Sequence, residues 1–137
     1  MIDIVVDSGP FIALFDGSDA YHARAVGFIE GLVGRLVTNL PVITEVVYVL
    51  DFSPQAQRDF IAWVEQACAI DTGTPSDLPR IRAVMAKYAD LPADFADASL
   101  IALCERIGST TVASVDSDFT VYRTASRQVF RNLFFAD

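Results

Sequence analysis

The chain has 137 residues, of which 53% are hydrophobic, and a formal net charge of -8 at pH 7. That length suits one domain, residues 1–137, with a core of its own, and the apolar content excludes a disordered chain. The acidic balance excludes duplex binding driven by the field of the whole domain, because such affinity comes from neutralising phosphates with cations.

Residues 2–6, IDIVV, read as a short strand covered on both faces and ending at Asp7. The opening is apolar but broken by Asp3, Asp7 and Pro10, and it has no basic start, so a signal peptide is not expected. SGP at 8–10 reads as a turn leading into FIALF, a helix start with Pro10 at an early position. From Asp19, a capping residue type, to about Leu32, the residues Ala23, Val26, Ile29 and Leu32 recur at helical spacing. RLVT at 35–38 is the second strand. In NLPVITEVVYVL a proline near the front suits a helix, whereas a central strand would lose a hydrogen bond to it. The core face of that helix is Val42, Val46 and Val49. The next helix, 53–67, opens on Ser53 and Pro54 and turns Phe60, Trp63, Val64 and Ala67 to one side.

Ala69 and Ile70 form a third, very short strand, and residues 76–90 a helix with Ile81, Val84 and Met85 inward. DLPADF supplies a turn, and a helix runs from about Asp94 to Ile107, stopped at Gly108. TTVAS at 110–114 is a strand, DFTVYR a short helix or turn, and RQVFRNLF holds a final strand of uncertain register. This order predicts an α/β fold, a three-layer α/β/α sandwich around a mainly parallel sheet. Cys68 and Cys104 lie in apolar surroundings outside any CxxC, as buried free thiols of a reducing cytoplasm do. No stretch approaches the roughly 18 uninterrupted apolar residues of a membrane span.

Ligands of open parallel sheets sit beyond the C-terminal ends of the strands. Asp7 ends the first strand, Asp116 and Asp118 follow the late one, Asp97 sits in the first turn of the strong helix, and Glu45 is the one carboxylate in its apolar helix. Each has a local reading as well. Asp7 could bond the backbone of the SGP turn, Glu45 could face water, Asp94 could cap a helix, and Asp116 with Asp118 could start a turn. Gathered on one rim they would repel, and a divalent cation would turn that repulsion into coordination. Oxygen-only donors suit Mg²⁺, with Mn²⁺ as a substitute, and such ions can activate water at a phosphorus centre. His22 is the sole histidine, so neither a zinc site nor a serine triad is indicated.

The order and spacing of these blocks resemble the PIN-domain ribonuclease family, in particular the toxins of VapBC toxin–antitoxin systems. VVDSGPFIAL is similar to the family's opening strand and acidic turn, SDAYHARA to the segment that follows it, and VITEVVYVL to the helix bearing its glutamate. DLPADFADASLIALCER and VASVDSDFTVYR complete the likeness over nearly the whole chain. The resemblance implies a metal-dependent endoribonuclease, a homodimer, inhibited by a small cognate antitoxin in the active-site groove. It implies Asp7, Glu45, Asp97 and Asp116 as the core metal carboxylates, with Asp94 and Asp118 as further ligands or water-orienting groups. Ser8 and Ser114 stand where the family more often has threonine, with roles beside Asp7 and a neighbouring carboxylate. The products implied are a 5′-phosphate and a 3′-hydroxyl.

For holding RNA, Arg123 and Arg127 are the candidates, with Arg131 continuing their four-residue interval. Arg80, Arg82 and Lys87 form a second group; solvated surface charge and salt bridges are the other reading of both. Tyr122 could stack on a base or pack in the core, and Tyr48, Phe60 and Trp63 belong to the core or to an interface. The alternative functions are a phosphoacceptor receiver-like signalling domain, which needs a lysine at the rim, and a PIN-like protein-binding module without catalysis. A DNA or flap nuclease shares the same metal chemistry.

Overall fold

The computed structural model describes residues 1–91 and 93–136. Strands β1 (Asp3–Val6), β2 (Arg35–Asn39), β3 (Cys68–Asp71), β4 (Thr111–Ala113) and β5 (Arg131–Asn132) form one sheet in the order β3-β2-β1-β4-β5. Every pairing is parallel. Parallel neighbours need crossovers, and helices supply them. Helices α1 (Ser8–Phe15) and α2 (His22–Glu30) join β1 to β2, α3 (Leu40–Val49) and α4 (Pro54–Ala67) join β2 to β3, and α5 (Thr74–Lys87) and α6 (Phe95–Ile107) join β3 to β4. The result is the three-layer α/β/α arrangement. Ile4, Val5, Val6, Val112 and Ala113 are all buried, as strands covered on both faces require.

The first three strands add outward in one direction, and the chain then returns to place β4 on the other side of β1. The strand order therefore reverses between β1 and β4, and a cleft opens beyond the C-terminal ends of strands at such a reversal. Local chemistry aims the helices at that cleft. Asp7, Asn39 and Asp94 cap α1, α3 and α6, each accepting a backbone N–H of the first turn. Gly108, at φ 73°, ends α6 in the left-handed region that glycine tolerates. Gly9 is needed for space: a Cβ there would collide with the Val115 side chain, so only glycine lets the start of α1 lie against the segment after β4.

Several expected faces shift. No turn separates β1 from α1, because the Asp7 cap starts the helix at Ser8. Helix α2 begins at His22 and buries Ala25, with Phe28 edge-on to Phe134, while Ala23 is exposed. Helix α3 passes at Val49 into a 3-10 turn, Leu50–Phe52, which rotates Leu50 into the core and leaves Val49 41% exposed. Ala67 and Met85 are exposed too, at the helix edges beyond Val64 and Val84. Phe60 and Trp63 pack on Phe11 at 5.4 and 5.8 Å between centroids, whereas Tyr48 is 76% exposed. Helix α5 starts at Thr74, two residues before the expected start, and the turn expected at 90–93 includes Pro92, outside the described residues. The terminal segment settles as the two-residue edge strand β5, parallel to β4, with one antiparallel bridge between Arg123 and Val129. Cys104 is buried and Cys68 half-buried, both as free thiols.

Candidate active site

The rim beyond β1 and β4 gathers carboxylates from four segments. Asp7 follows β1 directly and is 5% exposed; its Oδ1 accepts the Ser8 N–H at 2.8 Å and its Oδ2 the Ser114 hydroxyl at 3.0 Å. Ser114, just past β4, also accepts the Asp116 N–H on the same hydroxyl at 3.0 Å, so one fully buried side chain joins the two strand ends. Asp116 caps the 3-10 turn Ser117–Thr120 by accepting the Asp118 N–H at 2.8 Å. Asp94 accepts the Asp97 N–H at 2.8 Å, and Asp97, 6% exposed, points inward from the first turn of α6. Glu45 reaches in from α3, half-buried. Carboxylate oxygens of Asp97, Asp116 and Asp118 come within 4.8 Å of one another.

The local roles and the collective one coexist, since Asp7, Asp94 and Asp116 cap helical turns with one oxygen each. Their shared electrostatics goes beyond capping. Burial, then the charges of Asp7 and Asp94, push the Asp97 carboxyl up to about 8. Burial, then Asp94 and Asp7, raise Glu45 to about 7, and burial raises Asp7 to about 6 with Asp94 and Asp116 adding to the push. Asp118 rises as well, from burial and the neighbouring Asp116. Among the described residues no cation offsets these shifts, and the salt bridges lie elsewhere. A set of hard oxygen donors with no histidine or thiol among them fits Mg²⁺ or Mn²⁺ and not a soft metal. His22 is occupied elsewhere, donating from Nδ1 to the Ala13 carbonyl at 2.8 Å.

The roles of four polar residues behind the rim, Asn39, Ser99, Asn132 and Tyr122, escaped the sequence reading, which offered Tyr122 only as a stacking or packing ring. Asn39 caps α3 through its Oδ1 and donates from Nδ2 to Ser99 on α6 at 3.0 Å, tying the helix of Glu45 to the helix of Asp97. Asn132 on β5 accepts the Ser114 N–H at 3.1 Å and donates to its carbonyl at 2.8 Å, clamping the segment that leads to Asp116. Tyr122 donates to Asp97 Oδ2 at 3.1 Å. The signal for Asn39 was legible, a capping residue type directly before a proline-led helix; the partners of the other three lie across the fold.

The basic candidates are differently placed. One Arg123 nitrogen donates to the carbonyls of Thr120, Val121 and Tyr122 at 2.8, 3.0 and 2.8 Å, closing the 3-10 turn. Arg127 is exposed at φ 67° in the turn between Thr124 and Gln128. Arg80 pairs with Glu105 at 2.7 Å, and the Lys87 ammonium sits 5.2 Å from the Tyr88 ring centre. Tyr122 is fully buried, so it packs and does not stack on a base. An open groove of about 360 Å³ adjoins the carboxylates, lined by Pro41, Thr44, Glu45, Tyr48, Asp94, Phe95 and Ala96.

No curated protein sequence matches the chain significantly. Among solved structures, the crystal structure of Mycobacterium tuberculosis VapC20, described as a sarcin-ricin loop cleaving toxin, superposes with a TM-score of 0.79. Sequence identity is 20%, over 86% of this chain and 93% of that one, so the two share a fold. The PIN domain family matches residues 4–124, from β1 through the acidic turn to Thr124. By that match, with the acidic rim on the reversal between β1 and β4, the chain belongs to the PIN domain family.

Proposed function

We propose that this chain is a metal-dependent endoribonuclease that hydrolyses RNA phosphodiesters, acting in the cytoplasm as the toxin of a toxin–antitoxin pair. The observation that carries the reading is the meeting of Asp97, Asp116 and Asp118 within 4.8 Å, beside Asp7 and Glu45, with no counter-cation to offset them among the described residues. Such repulsion is expensive for a fold and is relieved by a divalent cation. Asp7, Glu45, Asp97 and Asp116 are its principal ligands in this reading, with Asp94 and Asp118 as further ligands or water-orienting groups. When bound, Mg²⁺ supplies Lewis acidity, lowering the pKa of water and neutralising charge on phosphoryl oxygens.

The chain's own residues do the rest. Ser8 and Ser114 hold the two Asp7 oxygens, so that the carboxylate keeps one orientation. Glu45 and Asp94 border the groove in which a single strand of RNA would lie, and the exposed faces of Tyr48 and Phe95 offer stacking surfaces for bases. Arg127, exposed in the turn after Ala125, whose N–H meets Glu105 at the far end of α6 from Asp97, stands apart from this groove. The description of VapC20 as a sarcin-ricin loop cleaving toxin supports an RNA substrate here. Leu40 and Phe52, both 62% exposed, are the apolar candidates in this reading for contact with a second copy of the chain. A small antitoxin with basic side chains would complement the acidic rim. The receiver-like alternative lacks its lysine, because the single lysine of the chain, Lys87, ends α5.

The test is cleavage of a panel of single-stranded and structured RNAs, with matched DNAs, in Mg²⁺, Mn²⁺ and chelator. Cleavage of RNA in Mg²⁺ that chelator abolishes and Asp7→Asn removes is the expected result. An Asp7→Asn variant as active as the parent would refute the role given to Asp7.

A further inference from the structure

Tyr122 lies just beyond the 3-10 turn that carries Asp118, and its N–H donates to the Asp118 carbonyl at 3.0 Å. From there its side chain crosses to α6, where the phenol hydroxyl donates to Asp97 Oδ2. The residue is fully buried, its ring edge-on to Tyr88 at 5.0 Å and to Phe119 at 5.1 Å. Those contacts fix the ring and so fix where the hydroxyl can reach. As core filler a phenylalanine would occupy nearly the same volume without a polar group to satisfy. Burial and the Asp97 charge hold the phenol far above its ordinary range, which keeps it a donor.

We propose that Tyr122 is a positioning residue for the acidic cluster: its hydroxyl holds Asp97 Oδ2 so that Asp97 closes with Asp116 and Asp118 on one divalent cation. The proposal rests on the metal-site reading above. A carboxylate turns about two side-chain bonds, and a donor anchored to the opposite segment removes that freedom. Tyr122 belongs to the Asp118 segment through its backbone and to the Asp97 helix through its hydroxyl, so the gap between the two is set by the reach of one tyrosine. Ser114 makes the matching tie from Asp7 to the Asp116 N–H. Outer partners that orient metal ligands in this way are worth about 10- to 100-fold in metal affinity.

The experiment titrates the full-length, metal-free protein with Mn²⁺, counting free ion by electron paramagnetic resonance. It compares the parent with Tyr122→Phe, Tyr88→Phe, Asp97→Asn and the double variant Tyr122→Phe/Asp97→Asn. Tyr122→Phe is expected to weaken Mn²⁺ binding about 10- to 100-fold, with the circular dichroism spectrum unchanged and cleavage recovered at saturating ion. Tyr88→Phe removes a hydroxyl of the same aromatic group, one that accepts the Arg123 N–H at 2.9 Å, and should leave binding as it was. In the Asp97→Asn background, Tyr122→Phe should cost nothing further, because the two act as one unit. Equal Mn²⁺ affinity in parent and Tyr122→Phe overturns the proposal, as does an equal loss in Tyr88→Phe or a full additional loss in the double variant. A parent that binds no Mn²⁺ overturns the metal-site reading itself, a distinct result that removes the proposal with it.

Discussion

Helix α6 carries carboxylates at both ends, and the fold treats the two ends in opposite ways. Near its C-terminus Glu105 takes both Arg80 donors at 2.7 and 2.8 Å and the Ala125 N–H at 2.6 Å, while Arg106 clasps Asp71 and Asp77. Against the push of burial, those partners bring Glu105 below its ordinary range, and the Arg106 bond does the same for Asp71. At the other end, among the described residues, the Asp97 carboxyl meets other acids and one phenol, and with burial first among the causes it rises to about 8. One helix thus shows carboxylates used to build the fold and carboxylates that the fold merely holds in place. The paired end stabilises the protein as it stands; on the metal-site reading proposed above, the unpaired end would do so once a cation is bound.

Ligand removal should break this comparison most sharply. Asp97→Asn and Asp7→Asn each delete a charge from the unpaired end at nearly constant volume. If that charge helps hold an ion worth several kcal/mol to the transition state, RNA cleavage should fall by roughly 100- to 1000-fold. Asp71→Asn, at the paired end, should leave kcat/KM within about twofold. Cleavage assays on the three variants under one Mg²⁺ concentration decide it; equal losses at both ends would remove the distinction.

Next in size comes the linkage between pH, metal and stability. An acid whose folded pKa exceeds its unfolded value binds its proton more tightly when folded, so it favours the fold at low pH and disfavours it as pH rises. Asp7, Glu45 and Asp97 therefore erode metal-free stability from about pH 4 upward, through folded values of about 6, 7 and 8. Asp71 and Glu105, lowered in the fold, lose their contribution only as pH falls below the ordinary carboxylate range. Metal-free Tm should accordingly decline between pH 5.5 and 8, and Mg²⁺ should restore more at pH 8 than at pH 5.5, because ligands must be deprotonated. At a concentration about 100 times Kd, the ion adds about 2.7 kcal/mol. Calorimetry across that range with and without Mg²⁺ measures it, and a metal-free Tm that climbs from pH 5.5 to 8 would contradict the assignment.

Much of this was legible in the sequence, because it is written in local chemistry. Asp7, Asp94 and Asp116 announce themselves as capping residue types at the ends of apolar segments, and the buried strand β1 reads from IDIVV alone. The alternation of elements gave the parallel sheet, and the spacing of the blocks carried the likeness to the PIN family. Illegible were contacts made across the fold. Tyr122 lies 25 residues from Asp97 and Asn132 lies 18 from Ser114, and nothing local distinguishes a tyrosine that bonds an acid from one that stacks on a base. The carbonyl partners of one Arg123 nitrogen were illegible for a related reason, since they depend on a 3-10 turn that sequence periodicity does not specify. Val49 and Ala23 were misplaced by a helix end and a helix start.

Gly9 tests how closely the unpaired end depends on its backbone. A methyl group there collides with Val115, one residue before Asp116, and would drive the Asp7 cap and the Asp116 turn apart. Gly9→Ala should cost about 1–3 kcal/mol by overpacking, with cleavage reduced further than the fold loss explains. Denaturant unfolding alongside Mn²⁺ titration separates the two effects. Unchanged metal affinity in a destabilised Gly9→Ala would confine the glycine to packing.

The smallest effect has a sign that sharpens the comparison. In metal-free protein at pH 8, Asp97→Asn deletes a charge that burial and its acidic neighbours oppose, so Tm should hold or rise. Asp71→Asn leaves the half-exposed Arg106 with only Asp77, and should cost about 1 kcal/mol, or roughly 4 °C. Added Mg²⁺ should reverse the order of Asp97→Asn and the parent while leaving the Asp71→Asn deficit as it was, because only the unpaired end gains from the ion. Thermal melts of the three proteins in chelator and in Mg²⁺ read this directly. An Asp97→Asn variant that melts below Asp71→Asn without metal would mean that the Asp97 charge already has a stabilising partner inside the fold.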